Sequence, residues 1–575
     1  MNEPSPSSPA LRQRAIASVF FAVASASAFV WASENPFQIV WLFGGLLLAL
    51  GSAFFVAVWQ HGFGWLFSRQ ALRFHAGVVV SLITLLVLFY AEEGWRGKRA
   101  WAALQREASA RGESLELKSL ATPAVPDDQN FAKAPVVAEL LKPSDEPYAG
   151  GPFYHGTEGR WPGASWALQQ FTDLAAWQKF FRNHADNAGW EERRAETRSA
   201  PTIPEPQTPA AGVLTALGKF ETNLATLRAA SRRPVMRLPL DYGKGFFVME
   251  DIVKPMECLR SAVHLLSLRA SAELPQGLSE PALQDVLLAL RLEEFMREEP
   301  FDYVQRQRRG MIQFCIQPVW EGLAGHRWNG EQLETLQKTL AEVDLLAGYR
   351  RGVHGEALAM MSLCDQGLAF AEGDTSESTR RLASSLSNEP FWFWVARMLY
   401  PVGWFYQDKA WIYRFYQCYA DPLDAAVLRN QPWEKRKAVS RSITDPMLAL
   451  LILPKLNETF QEGSVGCLLL QTFVQQAATA CALERFRLAH GQYPASLEAL
   501  APQLLDRVPP DILAAPAAPL KYLPTPDAGF KLWSVGFNRM DDGGRPHQPA
   551  DPRNNLLRQL SQGNSDLVWV RPGQR

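Results

Sequence analysis

An acidic group in the middle of the chain is the clearest concentration of residues able to do acid–base chemistry. It consists of Glu293, Glu294, Glu298 and Glu299. Paired carboxylates can act as general acid and general base. However, the group lies at the end of an amphipathic segment and has Arg297 within it. Since charges of both signs are typical of a solvated helix face, we interpret the group as a charged surface.

The other residues with reactive side chains are scattered. The sequence has no Cys-x-x-Cys pair, no His-Glu-x-x-His, no Gly-x-Ser-x-Gly and no phosphate loop. Six cysteines stand far apart among apolar neighbours: Cys258, Cys315, Cys364, Cys418, Cys467 and Cys481. We interpret them as buried thiols, with disulfides as the alternative. No catalytic and no cofactor-binding residue is predicted, although a triad built from distant residues would leave no motif.

Length and charge limit the classes of function. A chain of 575 residues is long enough for several domains, at roughly 150 residues each. The 58 basic and 59 acidic side chains nearly cancel. A nucleic-acid-binding protein normally has a basic excess on one domain, so no nucleic-acid partner is expected.

Three apolar runs near the N-terminus predict transmembrane helices. They span residues 15–31, 37–59 and 74–91, and none has a charged residue in its middle. Each is close to the roughly 20 apolar residues that a helix needs to cross a bilayer. Residues 1–14 are then an N-terminal tail, and residues 15–91 form a membrane block with three passes.

The basic residues beside these runs predict the orientation. The tail contains Arg12 and Arg14, the second loop contains Arg69 and Arg73, and the first loop has only Glu34. Since Lys and Arg stay on the cytoplasmic side, this pattern places the C-terminal bulk in the periplasm of a multi-pass inner-membrane protein. Four basic residues after the third run favour the opposite orientation: Arg96, Lys98, Arg99 and Arg106. A cleaved signal peptide at 15–28 would still leave the bulk outside.

Residues 92–240 combine helices with linkers. A juxtamembrane helix is predicted from Glu92 to Arg111, ended by Gly112. Residues 118–165 and 199–209 are rich in proline and glycine, which is typical of irregular linkers. Helices are predicted at 166–182 and 212–231.

Residues 241–440 are predicted to form a helical domain. Leu283, Val286 and Leu290 recur at helical spacing with Leu287, while Asp285 falls off this stripe. Similar periodic runs occupy 258–272, 301–324 and 330–347. Consecutive helices of this length suit either a solenoid-like array or an irregular bundle.

An aromatic cluster lies in the same domain. Thirteen of the 29 residues in 391–419 are aromatic. This density is typical of a large core cluster, which we favour, or of a membrane-facing patch.

The last domain, residues 441–575, is predicted to be α+β. A long helix at 456–490 ends at Gly491, and Ser496 can cap a short helix after it. Short strands are predicted at 520–523, 530–535 and 566–569. The chain as a whole is therefore mainly α, with a small mixed domain at its C-terminus.

Several sequence motifs of this domain occur in the same order in a known family. They are Ala482-Leu-Glu-Arg-Phe-Arg487, Gly491-Gln-Tyr-Pro494, Ser496-Leu-Glu-Ala-Leu500, Lys521-Tyr522, Leu532-Trp-Ser-Val-Gly536 and Asp541-Asp-Gly-Gly544. The domain resembles the head of the type II secretion pseudopilins and related pilin-like proteins. The whole chain resembles large membrane proteins of verrucomicrobial-type bacteria that carry this tail.

The resemblance implies a possible metal site and excludes one role. The pseudopilin loop after the strand hairpin can bind calcium, and Asp541, Asp542 and Asp566 match its acidic positions loosely. Carboxylates are suitable calcium ligands, and they are also common in any tight polar turn. Pilins begin with a peptidase site and an apolar helix, whereas this head lies at the far end of a long chain, so polymerisation into a pilus is not expected.

Two functions remain open from the sequence. The first is a membrane-anchored extracytoplasmic scaffold or interaction protein, linked to secretion or envelope assembly, whose partners are the membrane and other envelope proteins. The alternative is a membrane-anchored hydrolase with a site that no motif reveals. Transport is not expected, because three spans without a buried ionisable residue make a poor pore.

Overall fold

A computed structural model defines the architecture. It describes residues 68–140, 166–185, 208–371, 374, 376, 380, 400–420, 447–514, 518–526, 529–545 and 565–570. The predicted spans at 15–31 and 37–59, and the domain boundary at 440, lie outside these residues. Helix accounts for 69% and strand for 6%, so the protein is mainly α with a small C-terminal sheet region.

The helices follow one another along most of the described chain. In order they are α1 (Arg69–Ala110), α2 (Pro135–Leu140), α3 (Leu174–Ala185), α4 (Pro209–Leu217), α5 (Glu221–Ala230), α6 (Glu250–Glu273), α7 (Ser279–Glu294), α8 (Asp302–Ala324), α9 (Gly330–Ala341), α10 (Leu345–Ala371), α11 (Val402–Ala420) and α12 (Met447–His490). Short 3₁₀ turns join several of them, among them Trp166–Leu168, Gly218–Phe220 and Leu497–Leu500.

The described residues divide between two compact units. One contains those of Met1–Ala110, Asn388–Trp411 and Ile443–Pro454, and the other contains those of Arg111–Ser387, Ile412–Ser442 and Lys455–Arg575. The second unit holds most of the helical middle together with most of α12 and the sheets.

Helix α1 unites two predicted segments. The third apolar run and the juxtamembrane helix form one continuous helix from Arg69 to Ala110. It ends just before Gly112, which has a φ of +72°. This left-handed conformation is open to glycine at little steric cost, so the predicted stop at Gly112 is confirmed.

Three predicted helices are shorter or divided. The segment at 166–182 has a turn at Trp166–Leu168 and starts its α-helix only at Leu174. The segment at 212–231 is split by the turn at Gly218–Phe220. The segment at 330–347 breaks after Ala341, because the backbone N–H of Leu345 donates to Gln471 of α12 at 2.8 Å instead of continuing α9.

The helical middle is built by packing between neighbours in sequence. Helices α6, α7 and α8 pack on one another, α9 packs on α7, and α10 packs on α8. A close approach occurs where α10 crosses the chain that enters α8. A Cβ on Gly355 would overlap the carbonyl oxygen of Pro300, so only glycine fits there.

Helix α12 begins at Met447, earlier than the predicted 456, and ends at His490, just before Gly491, whose φ is +78°. Two small sheets follow: β1 (Pro510–Asp511) pairs with β2 (Ala518–Pro519), and β3 (Lys521–Thr525), β4 (Gly529–Ser534) and β5 (Leu567–Val570) form an antiparallel sheet in that order. The three predicted strands are confirmed, whereas β1 and β2 were missed.

Candidate functional site

The first half of α1 has an apolar surface that is left uncovered. Val80, Val87 and Leu88 are 62%, 61% and 59% exposed. The apolar window within His75–Ala110 has a mean hydropathy of 1.8, and none of it is buried. Soluble proteins rarely expose contiguous apolar surface on this scale. An 18-residue segment is about 27 Å long as a helix, close to the thickness of a bilayer core.

A polar clamp joins the second half of α1 to α11. The Glu93 side chain is 2% exposed. Its carboxylate accepts hydrogen bonds from Trp404 Nε1 at 3.0 Å, Gln407 Nε2 at 2.8 Å and Arg96 Nη1 at 2.9 Å. A carboxylate held by three donors is well satisfied despite its burial. The clamp therefore fixes the register of the two helices.

Two glycines allow the helices of the clamp to touch. A Cβ on Gly97 would overlap the carbonyl oxygen of Gly403, and a Cβ on Gly403 would overlap that of Glu93. One turn further on, Lys409 Nζ lies 3.9 Å from the centroid of the Trp101 ring, a cation–π contact. Helices α1 and α11 therefore cross with their backbones in close contact, and side-chain contacts beside the crossing fix their relative position.

In the described part of the aromatic cluster, four side chains belong to the core and four others, Tyr400, Trp404, Tyr406 and Trp411, are half-buried. Phe405, Tyr413, Phe415 and Tyr416 are all less than 8% exposed. Residues 391–399 lie outside the described part of the chain. Burial raises the pKa of Asp408 on α11 to about 7, although the Tyr400 hydroxyl donates to it.

Asp285 of α7 is buried although it lies off the apolar stripe, and its exposure is 1%. Helices pack on more than one side of α7, so its second face is also covered. The Asp285 carboxylate is paired with Arg228 Nη2 at 2.7 Å and with Arg269 Nε at 3.0 Å. Burial raises its pKa to about 6, against the lowering effect of the two guanidinium groups.

The acidic group at the end of α7 and just beyond it was interpreted as a charged surface. This interpretation was wrong for two of its four residues. Glu293 and Glu299 are 1% and 5% exposed, whereas Glu294 and Glu298 are exposed. Glu293 pairs with the buried Arg308 at 2.6 Å. Burial raises the pKa of Glu299 to about 7, with Arg237 acting in the opposite direction. These carboxylates hold structure and are not gathered into a catalytic pair.

A second pair of buried carboxylates lies where α8 begins. Asp302 is fully buried and Glu356 of α10 is 6% exposed. Burial, followed by the neighbouring Asp302, raises the pKa of Glu356 to about 8. Arg306 Nε lies 3.2 Å from the Asp302 carboxylate. Burial therefore favours the protonated form of Glu356 within the helical core.

A polar cluster at the end of α12 joins the C-terminal sheet region to the helical middle. The carboxylate of Glu484 contacts His326 Nδ1 at 2.5 Å and accepts from Arg487 and from the Tyr493 hydroxyl. Burial by itself would raise the pKa of Glu484, but these hydrogen bonds outweigh it and lower the pKa to about 2. His326 has a φ of +51°, a conformation uncommon outside glycine.

The cleft beside this cluster is small. It is lined by Trp320, Leu323, Ala324, Glu484, Tyr493, Phe530 and Trp569. It leaves room for about one water molecule. Because the Glu484 carboxylate already has several donors, the cleft has little left with which to hold a larger polar ligand.

Of the three aspartates of the calcium prediction, Asp541 and Asp542 lie in the turn after β4 and Asp566 lies just before β5. Asp566 is 1% exposed and accepts from the N–H groups of Asp542 at 3.3 Å and Gly544 at 2.8 Å. Asp541 accepts from Trp533 Nε1 at 3.0 Å and from Gly543 N–H at 3.1 Å. In the described residues no group of three His, Cys, Asp or Glu has a metal-binding arrangement. Calcium binding by this turn stays a prediction.

Five of the six cysteines are buried thiols, as predicted. They are Cys258, Cys315, Cys364, Cys467 and Cys481. Burial raises the pKa of Cys467 and of Cys481 to about 12. Thiols that resist ionisation are poor nucleophiles, which indicates a structural role for Cys467 and Cys481.

Comparison with known proteins gives no assignment. No family model, curated protein or solved structure matches the chain. The function therefore has to be argued from the geometry of this protein alone.

Sequence reasoning missed the partners of several buried polar residues. Thr172 donates from both its N–H and its hydroxyl to Glu321, at 2.6 and 2.7 Å. Asp511 accepts from Ser534 and from Val535 N–H, which fixes β1 to the end of β4. These partners are separated by long stretches of sequence, and a single sequence offers no signal for them.

Proposed function

We propose that the protein is a membrane-anchored scaffold, held in the bilayer by α1 and presenting a mainly helical domain beside the membrane. The observation that carries the proposal is the uncovered apolar window of α1. An apolar helical face of bilayer length is stable in lipid and costly in water.

The ionisable groups of the helical domain support a structural role. Asp285, Glu293 and Glu484 are each engaged by arginine side chains in the protein interior. Charges buried in pairs of this kind hold helices in register, and removing one partner leaves the other uncompensated. The surface of the domain, rather than an internal site, is then the place for partners.

Spin labelling of the full-length protein in liposomes tests the anchor. A nitroxide placed by Val87→Cys is expected to collide readily with oxygen and rarely with a water-soluble nickel chelate, because it lies in lipid. The matched control is Ala102→Cys, an exposed position further along the same helix. That label is expected to show the opposite preference, since it lies beyond the predicted span.

The unmodified protein is labelled first to measure the background from its own cysteines. Equal nickel accessibility at Val87 and Ala102 would show that the apolar face lies in water. The proposal of a membrane anchor would then be abandoned.

The side of the membrane on which the helical domain lies is a separate part of the proposal. We place the domain outside the cytoplasm, in keeping with the basic residues of the N-terminal tail and second loop, and we link it to secretion or envelope assembly through its pseudopilin-like tail. In support, the order of α12, β3, β4 and β5 follows that of a pilin-like head. Glu484 and Tyr493, both within the shared motifs, contact each other at 2.5 Å.

Reporters that are active only outside the cytoplasm, fused after Arg111 and after Arg575, test this placement. Activity of both supports the envelope location and justifies a search for envelope partners. Silence of both would place the domain in the cytoplasm and remove the basis of the secretion link, while leaving the anchor untouched.

A hydrolase is the second candidate, and the His326–Glu484 contact favours it. A carboxylate bound to Nδ1 of a histidine orients the ring as a general base. His326→Gln is expected to abolish turnover of an identified substrate if this reading holds. Turnover that is retained in His326→Gln would exclude this pair as the catalytic one.

A further inference from the structure

We propose that Trp95, Lys98 and Arg99 of α1 form a headgroup-binding surface for anionic lipids, in which the two cations contact lipid phosphate groups. This inference rests on the proposed membrane anchor. It adds the lipid class that the anchor prefers and the residues that select it.

The surface lies at the level where the headgroups begin. Helix α1 continues without a break past Ala91, the end of the predicted span. At a rise of 1.5 Å per residue, Trp95 and Arg99 lie about 6 and 12 Å beyond that point. The headgroup layer is roughly 5–7 Å thick on each side of the hydrocarbon core. Side chains on a helix lean toward its N-terminus, which for α1 is the membrane end, so Lys98 and Arg99 reach back toward the phosphates.

The surface lies opposite the buried face of α1. Glu93, Gly97, Leu104 and Ala108 of α1 are buried and recur at helical spacing, so they mark the covered face. At about 100° per residue, Trp95 and Arg99 fall on the opposite face.

Exposure agrees with this placement. Trp95 is 59% exposed, and Lys98 and Arg99 are also exposed. An exposed tryptophan next to an apolar span is typical of the membrane interface, where the ring packs among the headgroups.

The two cations are free to bind an anion. Arg96 is paired with Glu93 inside the clamp. In the part of α1 that the structure describes, neither Lys98 nor Arg99 is in an ion pair with a carboxylate. The Arg99 guanidinium lies over the Trp95 ring, 5.3 Å from its centroid, which positions its donors beside the ring. A planar guanidinium binds phosphate oxygens through two parallel hydrogen bonds.

The experiment measures lipid retention by the full-length protein. The protein is reconstituted in nanodiscs of mixed phosphatidylcholine and phosphatidylglycerol, released in the mass spectrometer, and scored for retained lipid of each kind. The wild type is expected to retain phosphatidylglycerol above its share of the bilayer. The double variant K98Q/R99Q is expected to lose this enrichment by about fivefold per residue, as each basic side chain near a charged surface contributes about 1 kcal/mol.

Arg106→Gln provides the matched control. Arg106 lies on the same helix face, exposed and about 22 Å beyond Ala91, which is past a Debye length of about 8 Å at physiological salt. It is expected to change the enrichment by less than about twofold. Unchanged enrichment in K98Q/R99Q, or an equal loss in Arg106→Gln, would overturn the inference.

The same samples separate this inference from the membrane anchor itself. If the wild type inserts into both pure phosphatidylcholine and mixed nanodiscs but retains no excess phosphatidylglycerol, only the headgroup surface is refuted. If it inserts into neither, the anchor fails first. An acidic protein co-purifying in place of lipid, and lost in K98Q/R99Q, would also overturn the lipid assignment.

Discussion

Among the residues that the structure describes, two helices are long and apolar enough to cross a membrane, yet they have opposite surroundings. The window in α1 has a mean hydropathy of 1.8 and is uncovered, whereas the window in Gly463–His490 of α12 has a mean hydropathy of 1.2 and is 89% buried. Hydropathy alone identifies both as candidate membrane spans. They differ in how much of the apolar window is buried and in the partners of some polar side chains.

Both helices satisfy threonine hydroxyls internally, in α1 at Thr84 and in α12 at Thr472 and Thr479, whereas two glutamines of α12 bind other elements. In α1, the Thr84 hydroxyl donates to the carbonyl of Val80 in its own helix, at 2.8 Å. In α12, Gln471 donates to Val343 at 3.0 Å and Gln476 donates to Leu567 at 2.7 Å, both outside the helix. A lipid-facing helix must satisfy its polar groups internally, while a core helix can be joined to its neighbours through them.

The largest expected effect comes from truncating the same residue type in each helix. Leu468 of α12 is fully buried, so Leu468→Ala leaves a cavity and is expected to lower the free energy of unfolding by about 2–5 kcal/mol. Leu86 of α1 is 48% exposed, and Leu86→Ala is expected to cost less than about 1 kcal/mol because the side chain leaves lipid or detergent, not a packed core. Urea unfolding of both variants in the same detergent measures the difference. Equal losses would show that α1 is also a core helix.

A pH effect of intermediate size is expected at the end of α12. Glu484 titrates near its ordinary value of 4.5 when unfolded and at about 2 when folded. The lowered pKa stabilises the fold above pH 4.5, and this contribution, roughly 3 kcal/mol, is lost as the pH falls toward 2. Tyr493→Phe removes one donor to the carboxylate and is expected to flatten the dependence of unfolding free energy on pH in this window.

Tyr522→Phe is the matched control for Tyr493→Phe. Its hydroxyl donates to the carbonyl of Pro494 at 2.8 Å and does not contact Glu484. We expect it to lower stability by a similar amount at every pH between 2 and 5, leaving the slope intact. A changed slope in Tyr522→Phe would mean that the acid dependence is not specific to the Glu484 cluster.

Local signals in the sequence predicted the elements well where glycine, proline or strong periodicity marked them. Gly112 and Gly491 end their helices as expected, and the three strands of the larger sheet lie within two residues of the predicted ranges. The breaks at 169–173 and 342–344 were missed, because there the backbone is bound by Glu321 and Gln471 from distant helices. A single sequence does not show which distant side chain will bind the backbone at a given position.

Charged residues were the least predictable part of the candidate site. Asp285, Glu293 and Glu299 are hydrophilic by type, so periodicity assigns them to the surface. Each is buried because an arginine elsewhere in the sequence compensates it or a second helix covers it. By contrast, nothing in the sequence around Glu93 predicts its hydrogen bonds to Trp404 and Gln407, which fix how α1 packs on α11.

The smallest expected effect concerns the clamp between α1 and α11. It compares a glycine of α1 that contacts α11 with a glycine of α1 that has open space beside it. Gly97→Ala is expected to cost about 1–3 kcal/mol, because the added methyl group would overlap Gly403 and force α1 and α11 apart. Gly94→Ala, one turn away, meets nothing within 4 Å and is expected to be neutral or to stabilise the helix by up to about 1 kcal/mol. Proteolysis rates and urea midpoints of the two variants in detergent compare them. If Gly97→Ala were as mild as Gly94→Ala, the two helices would not be in close contact, and the clamp would be held by its side chains alone.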